Sequence, residues 1–285
     1  MDLKEIRRLV IVALFSDDEL MEKFVLKGGN ALDIIYNIGT RSSVDIDLSI
    51  SDDFADLADA ERRIFHSLES RFAAAGYVVF DKSFSPRPSK TLPGQNPRWG
   101  GYAVEFKIAT KETFEKYKDN WSKLQTLATT TDSNQGRTFK IDISKFEFIE
   151  SKKETELDDF TIYVYSLPMM AIEKLRAICQ QLPEYELRGY STPRARDFYD
   201  IHTIMTAGNL DLATPENVEL VKHIFEAKEV PLHFLEKIHL PEIREFHAAD
   251  WEAVKQSTAG EIEEFDFYFE YIVQIIERLK AVGIV

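Results

Sequence analysis

The chain has 285 residues, of which 44% are hydrophobic and 29% are charged, a composition that fits one or two globular domains with a large core. Its single cysteine, Cys179, excludes a disulfide framework and a cysteine-rich zinc site. No apolar run approaches the roughly 18 residues of a membrane span. The N-terminus lacks the apolar stretch of a signal peptide, so we expect a cytoplasmic protein with no membrane partner.

The net charge of −14 argues at first against a nucleic-acid partner. The charge is unevenly placed, however, because residues 211–285 hold 16 acidic and 7 basic side chains, whereas residues 82–118 hold 3 acidic and 8 basic side chains. A binding site responds to its local field and not to the sum over the chain. An RNA partner therefore stays possible, and we expect it to approach the N-terminal part and segment 82–118.

Strands and helices alternate over the first 165 residues. Helical spacing covers 3–15, and after the break at Gly28-Gly29 a short helix is predicted at 30–37. Residues 51–53 offer N-cap chemistry for a helix through about residue 75, and a further helix is predicted at 111–127. Alternating or apolar runs predict strands at 44–50, 77–80, 102–108, 139–144 and 160–165.

After Pro168 the strand signals stop, and only helical patterns follow, at 168–182, 194–208, 215–228, 241–256 and 261–282. Strands with interspersed helices followed by helices alone indicate an α+β or α/β domain and then an all-helical domain. We place the two domains at 1–165 and 166–285.

The most informative pattern joins Gly28-Gly29, a short helix and Asp45-Ile46-Asp47 on an apolar strand. Glycines let the backbone approach a ligand closely, and the first N–H groups of a helix attract phosphate. Residues i and i+2 of a strand face the same way, so Asp45 and Asp47 project together and repel each other unless a cation lies between them. Carboxylates of this kind suit Mg²⁺, which also binds substrate phosphates.

A third carboxylate would complete a site for two metal ions. Asp142 alternates with Ile141 and Ile143 on a predicted strand, and Glu105 lies on another strand between Val104 and Phe106. We favour Asp142, because its strand immediately precedes the helical domain, and we keep Glu105 as the competing candidate.

These motifs resemble those of the nucleotidyltransferase superfamily of the DNA polymerase β type, and most closely the AbiEii/AbiGii toxin family, which includes the MenT-type toxins. The first motif is Gly28-Gly29 followed by Arg41-x-Ser43-x-Asp45-Ile46-Asp47, with serine where threonine is common, and the second is Ile141-Asp142-Ile143. The third is the helical segment 172–177, which carries Lys174 and Arg176. The fourth is 194–201, with Arg194, Arg196 and Asp197.

The resemblance implies a nucleotidyltransferase domain with a mixed, mainly antiparallel sheet flanked by helices, and a helical domain that completes the active site. It also implies two Mg²⁺ ions and a nucleoside triphosphate (NTP) as substrate. The 3′ end of a tRNA or another RNA would be the acceptor, and a cognate antitoxin would oppose the toxin. The implied metal ligands are Asp45, Asp47 and Asp142. The implied nucleotide-binding residues are Gly28, Gly29, Asn30, Ser43 and Lys174, and Asp197 would orient Lys174 or the acceptor.

Segment 82–100 is predicted to be a loop because it is rich in proline and glycine. Its charged side chains are all basic, and aromatic side chains lie between them: Lys82, Phe84, Arg87, Lys90, Arg98 and Trp99. Basic and aromatic side chains together suit single-stranded nucleic acid, so this loop is a candidate RNA contact.

Three functions stay open at this point. The first is nucleotidyl transfer to RNA by a toxin. The second is nucleotidyl transfer to a protein or to a small molecule such as an aminoglycoside, which the acidic C-terminal part favours. The third is a non-catalytic interaction protein on the same fold, against which the intact carboxylates argue.

Overall fold

A computed structural model describes residues 1–38, 44–89, 100–131, 136–187 and 191–285 of the chain. These residues form two compact units. The first holds the described residues up to position 89 together with Gly100–Val164, and the second holds those of Tyr165–Val285.

The first unit is built on a seven-stranded sheet with the order β3-β4-β5-β2-β1-β7-β6. The pairs β2–β5 and β1–β7 are parallel, and the other four pairs are antiparallel. The predicted α+β class with a mixed, mainly antiparallel sheet is therefore confirmed. The strands are β1 Val25–Lys27, β2 Ile46–Ser49, β3 Tyr77–Arg87, β4 Gly101–Thr110, β5 Phe139–Ser144, β6 Lys153–Leu157 and β7 Phe160–Val164.

Helices surround this sheet. They are α1 Leu3–Phe15, α2 Asp18–Lys23, the single turn α3 Gly28–Asn30 with a π-helical turn Ala31–Ile35, α4 Leu57–Ala74, α5 Lys111–Tyr117 and α6 Trp121–Thr126. Among the described residues of the second unit, all the regular secondary structure is helical. It contains α7 Leu167–Cys179, α8 Ala195–Ala207, α9 Pro215–Ala227, a 3₁₀ helix Leu232–Lys237, α10 Pro241–Ala248, α11 Trp251–Ser257 and α12 Phe265–Ala281.

Several element boundaries differ from the sequence predictions. The N-cap of α4 is Asp56, whose carboxylate accepts from the N–H groups of Ala58 and Asp59, and not a residue of 51–53. The predicted helix 111–127 is two helices, since α6 begins anew at the Asn120 cap. The predicted helix 241–256 is likewise interrupted, between Ala248 and Trp251.

The predicted loop 82–100 is the largest of these differences. Strand β3 continues through Lys82 to Arg87 and pairs with β4 along its whole length, with an irregularity between Phe80 and Ser83. The prediction failed because Pro86 lies on an edge strand, where a missing N–H costs no ladder bond. Residues 90–99 of this segment lie outside the described residues.

On the central strands β2 and β5 the apolar side chains lie on one face of the sheet, the apolar face, and the charged side chains lie on the other. On β5 the buried residues Phe139, Ile141 and Ile143 alternate with residues that are only half-buried. Helix α4 contributes to covering the apolar face, where the rings of Phe72 and Phe106 are 6.2 Å apart. On the opposite face β2 and β5 carry Asp47, Lys140 and Asp142, which are described below.

The core of the helical unit is centred on Phe198 of α8, which is fully buried. Its ring lies 5.1 Å from that of Phe265 and 5.8 Å from that of Phe269, both on α12. The aromatic residues of α12 thus pack in the core of this unit. Among the described residues, the helices include none that is both long and apolar enough to cross a membrane.

Replacement of Phe198 by alanine tests this core. Removing a fully buried aromatic ring leaves a cavity and should cost about 3–5 kcal/mol of unfolding free energy. The matched control is Phe267→Ala on α12, whose side chain is 48% exposed and whose loss should cost less than about 1 kcal/mol. Urea titration followed by circular dichroism measures both. Equal costs for the two variants would contradict the packing described.

Candidate active site

The register between β2 and β5 brings two of the predicted carboxylates side by side. These strands are parallel neighbours, and Asp47 is paired directly with Asp142. Paired residues on adjacent strands project to the same face, with the strands about 4.8 Å apart. Asp45 precedes β2 by one residue and lies two residues before Asp47. The three aspartates predicted as metal ligands are therefore neighbours on the polar face of the sheet.

Glu105 lies on the same face, one strand further away. It pairs with Lys140 of β5, which itself lies two residues before Asp142. We call Asp45, Asp47, Glu105 and Asp142 the acidic face. Because Asp142 is the direct neighbour of Asp47 and Glu105 is not, the register favours Asp142 as the third carboxylate.

Electrostatic coupling links these groups. Burial raises the pKa of Asp45 above its ordinary value, and the charges of Asp142 and Glu105 raise it further, while Lys140 opposes the shift. The Nζ of Lys140 lies 2.5 Å from Oδ2 of Asp142. Burial alone would lower the pKa of Lys140, but its hydrogen bond to Asp142 and the charges of Asp142 and Asp45 raise it. Lys140 is therefore a cation within the acidic face.

The acidic face fits a divalent cation in the chemistry of its donors. Asp45, Asp47 and Asp142 supply only carboxylate oxygens, which are the ligands that Mg²⁺ prefers. Within the part of the chain that the structure describes, no three acidic, histidine or cysteine side chains are already arranged to hold a metal ion. Lys140 occupies the carboxylate of Asp142, so metal binding requires a local rearrangement of side chains.

Gly28 makes room for the carboxylate of Asp47. Its φ of +70° lies in the left-handed region, and a Cβ added there would come within 2.3 Å of Oδ2 of Asp47. Strand β1 ends at Lys27, which pairs with Asp47, and the chain turns directly into α3. The first glycine of the motif is thus required by the aspartate that lies 19 positions later. Gly29 is the second residue of α3.

Asn30 ties α3 to the start of β2. Its side-chain amide donates to the backbone oxygen of Asp45 over 2.6 Å, and its Oδ1 accepts from Nη1 of Arg7 over 3.1 Å. Asn30 is completely buried. Its contacts therefore position the backbone at Asp45, and a direct contact of Asn30 with a nucleotide stays a prediction. Arg41 and Ser43 lie outside the described residues.

Lys174 lies in the helical unit, where two carboxylates bind it. Its Nζ is 2.9 Å from Oδ1 of Asp197 and 2.7 Å from Oδ2 of Asp200. Burial alone would lower the pKa of Lys174, but the charges of the two aspartates and their hydrogen bonds raise it. Arg194 completes the group, with its Nη1 2.8 Å from Oδ2 of Asp197. We call these four residues the lysine cluster, whose formal charges cancel.

Side chains from elsewhere in the helical unit cap helix α8, which carries the aspartates of the lysine cluster. The backbone N–H of Arg194 donates to Nδ1 of His247 over 3.0 Å, and that of Ala195 donates to Oδ1 of Asp250 over 3.1 Å. Because the first N–H groups of a helix have no partner within the helix, these two bonds fix where α8 begins. They thereby fix the positions of Arg194 and Asp197.

Arg176 and Arg196 differ in their surroundings. Arg176 is buried and its Nη1 donates to the backbone oxygen of Ile224 on α9, so its guanidinium joins two helices of the second unit. Arg196 is exposed on α8. The roles predicted for both residues at the site stay predictions.

The structure differs from the prediction that segment 82–100 is a loop that contacts RNA. The described part of segment 82–100 includes strand residues whose charges are paired, Lys82 with Glu69 and Arg87 with Glu105. The ring of Phe84 stacks on Tyr102 with centroids 5.0 Å apart. These side chains already have protein partners, which weakens the case for this loop. Lys90, Arg98 and Trp99 lie outside the described residues.

Three residues at these clusters were not singled out from the sequence as site residues: Lys140, Asp200 and His247. Lys140 lies two positions from Asp142 on an alternating strand, a spacing that could have revealed it. Asp200 follows Asp197 by three positions on α8, the spacing of neighbours on one helix face, and this spacing could have indicated it. His247 is brought to Arg194 by a contact across 53 positions, and no local pattern in the sequence indicates such a contact.

Comparison with known proteins identifies the family. Residues 10–271 match the family described as nucleotidyl transferase AbiEii toxin, type IV toxin–antitoxin system. The chain belongs to this family. It is accordingly a nucleotidyltransferase by family, and the resemblance inferred from the motifs is confirmed.

The other comparisons add less to this assignment. No curated protein matches the chain. A proposed nucleotidyltransferase from H. pylori matches over 99% of this chain and 96% of its own, with 16% identity and a TM-score of 0.49. An antigenic nucleotidyltransferase-like protein from Paracoccidioides brasiliensis matches over 79% and 89%, with 11% identity and a TM-score of 0.38.

Replacement of Gly28 by alanine should separate stability from activity. The left-handed φ should cost about 1–2 kcal/mol, and the new Cβ should also displace the Asp47 carboxylate. Gly76→Ala is the matched control, because its φ is +85° and nothing lies within 4 Å of an added Cβ. We expect Gly28→Ala to lose at least as much stability as Gly76→Ala, and nucleotidyl transfer to fall by about 100-fold only in Gly28→Ala. Equal activities would exclude the steric role of Gly28.

The His247 cap should make folding pH-dependent. Burial lowers the pKa of His247 to about 4, whereas the unfolded chain protonates it near 6.5. The unfolded state therefore binds the proton first, and unfolding free energy should fall as pH falls from 6.5 to 4, by about 3 kcal/mol from this residue. His247→Asn keeps an acceptor for the Arg194 N–H and should lack the contribution of His247 to this pH dependence.

Denaturant titrations between pH 4 and 7 measure the effect. The exposed His66→Asn serves as control and should follow the unmodified protein. A pH dependence of His247→Asn that equals that of the unmodified protein would show that His247 does not titrate as described.

Proposed function

We propose that this protein is an Mg²⁺-dependent nucleotidyltransferase that moves a nucleoside monophosphate from an NTP to an acceptor hydroxyl. The observation that carries the proposal is the direct pairing of Asp47 with Asp142 on parallel neighbours, with Asp45 two residues from Asp47. Membership of the AbiEii family supports it. Like charges this close on one face are costly unless a cation joins them.

Asp45, Asp47 and Asp142 would hold two Mg²⁺ ions. When bound, such ions activate an attacking hydroxyl and neutralise charge on a triphosphate and its leaving group. The chain contributes the arrangement of the ligands. Gly28 leaves space for the Asp47 carboxylate, and Asn30 holds the backbone at Asp45, so both carboxylates are placed before any substrate arrives.

The remaining predicted residues act on the nucleotide in this proposal. Gly28, Gly29 and Asn30, which form α3, would position phosphates together with Ser43. Lys174 would neutralise charge on the phosphates, and its contact with Asp197 supports a role of Asp197 in holding the ammonium in place.

We propose RNA, and specifically a tRNA 3′ end, as the acceptor, and a toxic role that a separate antitoxin counteracts. The toxin–antitoxin description of the family supports the toxic role and the antitoxin. The basic balance of segment 82–118 supports RNA, although several of its lysines and arginines form ion pairs: Lys82, Arg87, Lys107 and Lys118.

Transfer to a cationic small molecule is the second candidate. The pairing of Lys82 with Glu69 and of Arg87 with Glu105 leaves less positive charge to attract RNA. The acidic balance of residues 211–285 would suit a cationic acceptor. The two candidates differ in the acceptor alone and share the same carboxylates.

Amide substitutions should rank the carboxylates. We expect Asp45→Asn, Asp47→Asn and Asp142→Asn each to lower transfer by at least about 1,000-fold, since each removes a charged oxygen ligand. Glu105→Gln should lower it less than about tenfold, because Glu105 does not neighbour Asp47. Asp52→Asn, an exposed residue after β2, is the control. A larger loss of transfer for Glu105→Gln than for Asp142→Asn would show that Glu105, and not Asp142, is the third carboxylate.

The acceptor is found by incubating the protein with each α-labelled NTP, Mg²⁺ and either total RNA, purified tRNA, lysate protein or an aminoglycoside. The proposal predicts label at a tRNA 3′ end that periodate oxidation of the tRNA prevents. Label on the small molecule or on protein would support the second class of acceptor. Label that survives Asp45→Ala combined with Asp47→Ala would refute the mechanism.

A further inference from the structure

Lys140 is a strand residue that the proposed reaction does not yet use. It lies on β5 two residues before Asp142 and pairs with Glu105 of β4, so its side chain lies on the acidic face. Its Nζ is 2.5 Å from Oδ2 of Asp142, and its side chain is about one-third exposed. The ammonium is thus placed at a carboxylate that the proposed function gives to a metal ion.

A metal ion and the ammonium compete for the same carboxylate. A metal ion and the Lys140 ammonium that both contact the Asp142 carboxylate repel each other, because like charges a few ångströms apart near a protein surface repel appreciably. The lysine has an alternative partner in Glu105, its cross-strand neighbour, which can be reached with little movement of the flexible side chain. Glu105 already accepts from Arg87 at Oε1, and a carboxylate can accept from more than one donor. The movement requires no change in the backbone of β5.

We propose that Lys140 is the resident counter-ion of the acidic face, which binds Asp142 when no divalent cation is present and yields it to the cation by turning to Glu105. Lys140 is then a positioning residue that sets metal affinity. In the absence of metal it stabilises the carboxylates, and in its presence it makes binding weaker than the carboxylates alone would allow. This inference rests on the proposed function, because it takes Asp142 to be a metal ligand.

The test measures Mn²⁺ binding to the full chain without nucleotide, by electron paramagnetic resonance of the free ion. Lys140→Met and Lys140→Gln should each bind Mn²⁺ about tenfold more tightly than the unmodified protein, because they remove the competing charge. Lys140→Arg keeps the charge and should keep the affinity. Lys107→Met is the matched control, since Lys107 is also a strand lysine bound to an aspartate, Asp81.

Thermal unfolding gives a second, independent readout. Without metal, Lys140→Met leaves the acidic face without this counter-charge and should unfold at a lower temperature. Saturating Mn²⁺ should raise the unfolding temperature of Lys140→Met by more than it raises that of the unmodified protein, because tighter binding to the folded state stabilises that state more. Lys107→Met should lose stability equally with and without Mn²⁺.

The outcomes separate this inference from the function on which it rests. If Mn²⁺ binds the unmodified chain and needs Asp45 and Asp47, but Lys140→Met binds it no more tightly, the counter-ion role is wrong and the metal site stands. If binding is absent, or persists in Asp45→Asn combined with Asp47→Asn, the metal site itself is wrong and the counter-ion role fails with it.

Discussion

The parallel pairing of β2 with β5 is the constraint on which the candidate site depends. It places Asp47 directly beside Asp142, and the alternation of β5 keeps Ile141 and Ile143 on the apolar face. Two carboxylates on neighbouring strands would repel each other in an apolar setting. They are tolerated here because their face is only partly buried and because Lys140 supplies a positive charge.

The surrounding residues show how the first unit adapts to these carboxylates. A glycine at position 28 accommodates Asp47, and Asn30, itself held by Arg7, fastens the backbone at Asp45. Lys27, the register partner of Asp47, is buried. It donates to Oγ of Ser144, the last residue of β5, and forms an ion pair with Glu147, three residues further along the chain. The strands that carry the acidic face are therefore joined by side chains as well as by their ladders.

The sequence predicted the strand positions of Asp47 and Asp142 better than it predicted the boundaries of the elements. Alternation on 44–50 and 139–144 placed Asp45, Asp47 and Asp142 on polar positions, because strand periodicity is a local property of the chain. The short strand β1 was missed, since its three buried residues do not alternate. The pairing of β2 with β5 and the contact of His247 with Arg194 join distant segments. No single-sequence pattern records such contacts.

The proposed function requires that Asp45, Asp47 and Asp142 together bind divalent cations. Crystals grown with Mn²⁺ and a non-hydrolysable NTP, measured by anomalous diffraction, test it most directly. We expect an anomalous peak within coordination distance of these three carboxylates, with the ammonium of Lys140 moved away from Asp142. A peak at other residues, in protein that transfers nucleotide in solution, would contradict it.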